Sequence, residues 1–157
     1  MSNSIENLYI ATNFTFKETL LPRKSTKYVI VHHSEILKPH NVNDVHQLHL
    51  KLKMAGIGYH FFIRKDGSIY QGRPLDTVGA HVRDFNSASV GVCFEGHFDL
   101  ERINDLQYQK GVELIAAIVK RYPGSTVKFH NQYTTKKNCP GKLFPCIELL
   151  QDVMAKL

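Results

Sequence analysis

Residues 27–33 read KYVIVHH. Three β-branched residues in succession behind a tyrosine form a compact apolar run, which predicts a buried strand over about residues 28–32. That strand ends in two histidines, His32 and His33. A second short run, STVKFH at 125–130, also reads as a strand and also ends in histidine, at His130. If the two strands are neighbours, imidazoles meet at one edge of a sheet.

The segments around these runs set the fold class. After a Pro-Asn loop, Val45, Leu48 and Leu52 recur at helical spacing in NDVHQLHLKLKMAG, with Gly56 as the stop. IGYHFFIRKDGSIYQG at 57–72 reads as two strands joined around Asp66-Gly67, a strong hairpin signal. SASVGVCFEG predicts another buried strand over about 88–95. From Asn104 on, Tyr108, Val112, Ile115, Val119 and Tyr122 mark one apolar helix face, opened by an Asn cap and closed by Pro123-Gly124. PCIELLQDVMAKL predicts a closing helix. Strands interleaved with helices imply an α/β single domain with a central mixed β-sheet flanked by helices.

Composition bounds the function classes. With 157 residues, 43% apolar and 22% charged, the chain fits one globular domain, which excludes a fibre or a disordered chain. The net charge of +6 favours an anionic partner such as an acidic polymer. Its basic residues are scattered, as on an ordinary solvated surface, and no run resembles a nucleic-acid-binding arm. A zinc-stabilised nucleic-acid binder would require steeply salt-dependent DNA binding. Three cysteines, Cys93, Cys139 and Cys146, cannot all pair within the chain and lack disulfide-framework spacing, so a reducing site of synthesis is expected. The N-terminal residues show no basic start before an apolar run, and nowhere do 18 apolar residues follow one another. The expectation is a monomer made in the cytoplasm without a signal peptide, with no membrane insertion.

Near the second histidine strand the sequence continues HNQYTTKKNCPG, placing Cys139 nine positions after His130. Two histidines and a cysteine, leaving one position for water, is the pattern of a catalytic zinc site. On spacing alone this competes with a surface histidine and an incidental buried thiol. Adjacent strand residues point to opposite faces, so only one of His32 and His33 would serve. Cys93 alternates within an apolar strand and reads as core, while Cys146 is the one thiol close enough in sequence to compete for Cys139.

Four segments, YVIVHHSE, GIGYHFFIRKDGSIYQGRP, VGAHVRDFNSASVGVCFEG and FHNQYTTKKNCPG, occur in the order and approximate spacing of the zinc-dependent N-acetylmuramoyl-L-alanine amidase (type 2) family. The chain resembles that family over about residues 27–150. The family includes phage amidase lysins and animal peptidoglycan recognition proteins. The resemblance implies an N-terminal lead-in over residues 1–26 and a zinc amidase catalytic domain over 27–157. It implies Zn2+ held by His32, His130 and Cys139, and hydrolysis of the amide between N-acetylmuramic acid and the L-alanine of the stem peptide in bacterial peptidoglycan, after release to the cell wall. Tyr59 matches the family tyrosine beside the zinc-bound water, and Lys137 the lysine that stabilises the oxyanion, with Lys136 as the wrong-register competitor. Glu95 matches a glutamate that some branches use as general base. His81 and Asn86 match a segment lining the substrate groove. Members lacking a competent third ligand bind peptidoglycan without cutting it, so a non-catalytic recognition module is the alternative reading.

Overall fold

Tyr28–His33 forms β1, one residue longer than the expected 28–32. The structure is a computed structural model that describes residues 4–157. The other strands are β2 (Phe61–Ile63), β3 (Ile69–Gln71), β4 (Ser89–Phe94) and β5 (Thr126–Phe129), and the helices are α1 (Val42–Lys51), α2 (Asp105–Arg121) and α3 (Cys146–Ala155). The strands form one mixed sheet in the order β3-β2-β4-β1-β5. β1 pairs in parallel with β4 and β5, and β2 in parallel with β4. β3 closes the hairpin antiparallel to β2, around the expected Asp66-Gly67 turn, where Gly67 takes φ of 88°.

The two faces of the sheet bury different sets of residues, because side chains alternate along each strand. Val29, Val31, Val90, Val92, Phe94 and Phe129 pack with Val112, Ile115 and Ile118 of α2 and with Leu149 and Val153 of α3. Phe62 and Cys93 face the other way, against Val42 and Val45 of α1 and Ile57. β1 lies inside the sheet between β4 and β5 and is buried on both faces, which explains why its run is apolar throughout.

Helix α1 departs from the spacing read off the sequence. Of Val45, Leu48 and Leu52 only Val45 is buried; Leu48 and Leu52 are exposed, and the inward face is Val42, Val45 and His46. The polar residue wins an inward position because its ring is bonded there: His46 Nδ1 accepts the amide of Ile57 at 3.0 Å and the ring stacks on Phe14 at 4.2 Å. The lead-in packs against the sheet. Ile5 joins the main core, and Ile10 bridges to Tyr70 on the edge strand β3.

Candidate active site and metal centre

His32 is the fifth residue of β1 and stands in register with Cys93 of β4, so it shares that residue's face of the sheet, above α1. His33 points the opposite way, stacking on Phe98. Phe129 ends β5 beside Val31, so His130, one residue on, reaches the same edge as His32; the two rings lie 4.7 Å apart. Cys139 is brought back by its own loop. Its carbonyl accepts the Asn131 amide at 2.8 Å, and Asp99 Oδ1 accepts both the Asn138 side-chain amide at 2.7 Å and the Lys142 amide at 2.8 Å. One donor atom each from His32, His130 and Cys139 then lies within 4.8 Å of the others.

These three residues fit a zinc ion by geometry as well as chemistry. Bonds of about 2.0–2.1 Å to nitrogen and about 2.3 Å to sulfur at a tetrahedral angle separate the two donors by about 3.6 Å. His32 Nδ1 and Cys139 Sγ are 3.7 Å apart. A second group, His33, Glu35 and Asp99, meets the same distance limit among the described residues. It fails on tautomer: His33 Nδ1 accepts the Phe98 amide at 3.0 Å, so the neutral ring carries its proton on Nε2 and has no second lone pair for a metal.

Burial sets the protonation of the triad. It holds His32 well below the usual histidine range, with the neighbouring histidines adding to the effect, and it lowers His130, helped by the Lys137 charge. Both imidazoles are therefore neutral at pH 7, as ligation requires. Burial pushes the Cys139 thiol up to about 12, against the amide of His33, which donates to Sγ at 3.3 Å.

The tyrosine expected beside the site is there. The Tyr59 ring lies 5.0 Å from that of His32. The loop that carries it is held by two α1 histidines, His46 accepting the Ile57 amide and His49 Nδ1 the Gly58 amide at 2.9 Å. Burial raises the Tyr59 phenol well above its ordinary value, so it stays protonated at neutral pH.

Residues 22–142 match the family profile described as N-acetylmuramoyl-L-alanine amidase. The chain belongs to that family. The amidase is 33% identical over 126 residues to the endolysin of Klebsiella phage KP32, covering 76% of this chain and 83% of the relative. Among solved structures, the endolysin N-acetylmuramoyl-L-alanine amidase LysCS from Clostridium intestinale URNW is 29% identical with a TM-score of 0.88, over 93% of this chain and 95% of that one. Wild-type PGRP-LB of Drosophila is 30% identical with a TM-score of 0.70, over 82% and 86%.

The remaining expected residues of the amidase fall in two groups. Lys137 is exposed, and its charge reaches both His130 and Cys139. The neighbouring Lys136 turns its amide to Thr134 Oγ1. Glu95 is 2% exposed, and both its oxygens are engaged by backbone amides: Oε2 by His40 and Oε1 by Lys65, each at 2.9 Å. It ties the loop after β1 to the hairpin. Asn86 likewise serves backbone, its Oδ1 accepting the amides of His81 and Val82. His81 lies against His32, Nδ1 to Nε2 at 2.9 Å.

His46, His49, Ser89 and Asp99 also support the site, and the sequence motifs assign none of them a role. The two α1 histidines lie three residues apart, which places them on one helix face, and that spacing was the available signal. The backbone amide of Gln107 donates to the capping Asn104 Oδ1, and its side chain is fully buried and donates to Ile63 O and Glu95 O, tying α2 to the ends of β2 and β4.

Proposed function

We propose that this amidase is zinc-dependent and cuts the bond between N-acetylmuramic acid and L-alanine in bacterial peptidoglycan, as a monomeric endolysin acting on the cell wall after release. The observation that carries this reading is the convergence of one donor atom each from His32, His130 and Cys139 within 4.8 Å, at the sheet edge where Tyr59 also stands. Zinc in that set supplies Lewis acidity, polarising an amide carbonyl and making water nucleophilic near neutral pH.

The chain's own groups do the rest. Tyr59 keeps its proton, so it serves as a hydrogen-bond partner that orients the attacking water and passes protons, not as a permanent base. Lys137 is exposed and its charge acts on both His130 and Cys139, which supports a role in meeting negative charge that develops on the former carbonyl oxygen; a fixed cation aimed there helps most in the transition state. Each Glu95 oxygen accepts a backbone amide, so Glu95 acts as a structural tie. The net charge of +6 favours residence on an anionic wall. Among the described residues no helix is long and apolar enough to cross a membrane.

The test is metal analysis together with identification of muropeptide products for the parent, His130→Ala and Lys137→Ala. Loss of zinc in the first, and retained zinc with lost stem-peptide release in the second, is the expected result. Wall binding without release of stem peptides by the zinc-loaded parent would identify a recognition module instead.

A further inference from the structure

Both ring nitrogens of His32 are engaged. Nδ1 lies 3.7 Å from Cys139 Sγ, and Nε2 lies 2.9 Å from His81 Nδ1. Two imidazole nitrogens at that separation are bonded only when one carries a proton and the other a lone pair. Ser89 decides which. Its hydroxyl lies 2.8 Å from the Phe85 carbonyl, which can only accept, so the hydroxyl hydrogen goes there. The Ser89 oxygen is left to accept from His81 Nε2 at 3.2 Å, which puts the His81 proton on Nε2 and leaves its Nδ1 bare. His32 must then donate from Nε2. Its one lone pair is on Nδ1, directed to the side where Cys139 lies.

We propose that His81, backed by Ser89, is a positioning residue that fixes His32 in the tautomer whose Nδ1 lone pair faces the metal position. The inference rests on the reading of His32, His130 and Cys139 as a metal site. Partners of ligating histidines commonly fix tautomer and ring orientation in this way. The surroundings of His81 are built to hold its ring still. A Cβ at Gly91 would lie 2.7 Å from His81 Cγ, and one at Gly79 would lie 2.8 Å from Cδ2, so glycine at both positions makes room for the imidazole. Asn86 Oδ1 accepts the His81 amide at 2.7 Å and the Val82 amide at 2.9 Å, pinning the backbone beneath it. With both ring nitrogens committed inside the protein, His81 has none to offer a glycan or a stem peptide. His81 serves as a support for the first ligand, and Asn86 holds the backbone of His81.

Ring 15N–1H spectra of the metal-free protein read the tautomers directly, and chelator competition reads zinc affinity. The expected parent result is a proton on Nε2 of both His32 and His81. In His81→Phe, His32 loses its fixed tautomer and zinc binds about 10- to 100-fold more weakly, with an altered visible spectrum of the cobalt-substituted protein. If that variant fails to fold, Ser89→Ala, which removes only the far acceptor, serves in its place and is expected to mix the tautomers of both rings. A parent His32 protonated on Nδ1, or a folded His81→Phe with unchanged tautomer and zinc affinity, overturns the proposal. Failure of the metal reading is distinguishable: the parent then binds no zinc although its ring tautomers are as stated.

Discussion

The backbone amide of His33 points at the sulfur of Cys139 across 3.3 Å, joining two residues 106 positions apart. The amide favours the thiolate, while burial opposes it more strongly and holds the thiol up to about 12. The metal-free protein therefore keeps a proton on Cys139 at neutral pH, and a metal ion must displace it. Zinc uptake is expected to release one proton, and affinity to rise about tenfold per pH unit between about pH 6.5 and 9. His32 and His130, both lowered from their ordinary value, are neutral in that window and add no second proton. Calorimetry in buffers of different ionisation enthalpy counts the protons; a count of zero would remove Cys139 from the ligand set.

The two adjacent lysines are expected to separate cleanly. Lys137→Ala lowers kcat by about 10²–10³, the usual loss for one oxyanion-stabilising group, and leaves bound zinc unchanged. Lys136→Ala leaves kcat near that of the parent, because Lys137 is the lysine whose charge acts on His130 and Cys139. Steady-state turnover of soluble muropeptides with metal analysis checks both; equal losses in the two variants would reject the assignment.

Glu95→Gln is expected to cost stability, not chemistry. The carboxylate receives backbone amides from His40 and Lys65, and a neutral amide can accept at only one of the two positions. Leaving one buried amide facing an NH2 group costs about 1–3 kcal/mol, which at this size lowers Tm by about 2–4 °C per kcal/mol. Thermal melts and kcat measured well below Tm decide the matter. A large loss of kcat in stably folded, zinc-loaded Glu95→Gln would restore the glutamate as a base.

Acid is expected to destabilise the fold before its carboxylates titrate. Burial lowers His60 to about 3 and His33 to about 4, so the folded protein holds both neutral where the unfolded chain takes up protons below about 6.5. Their full contribution is present above pH 6.5 and is lost as the pH falls toward the folded values. Each steepens the loss by up to about 1.4 kcal/mol per pH unit. Denaturant titrations of metal-free protein at pH 7.5, 6.5, 5.5 and 5.0 measure the slope, and a flat profile across that range would contradict it.

The sequence by itself determined the elements and the chemistry they could carry. KYVIVHH had to be a buried strand because no exposed face could tolerate Val29, Ile30 and Val31 together, and Asp66-Gly67 had to be a turn. Four motifs in order pointed to His32, His130 and Cys139 as candidate ligands, and alternation along a strand allowed only one of His32 and His33 to join the other two. What the tertiary structure decided is how each polar group is satisfied. Glu95, Asn86 and His81 look alike in sequence, as polar residues near strand ends, yet two of them bind backbone amides and the third holds an imidazole. His46 is buried while Leu48 is exposed for the same reason. A buried polar atom takes its role from the partner that satisfies it, and those partners, 55 residues away for Glu95 and 49 for His81, meet only in the folded chain.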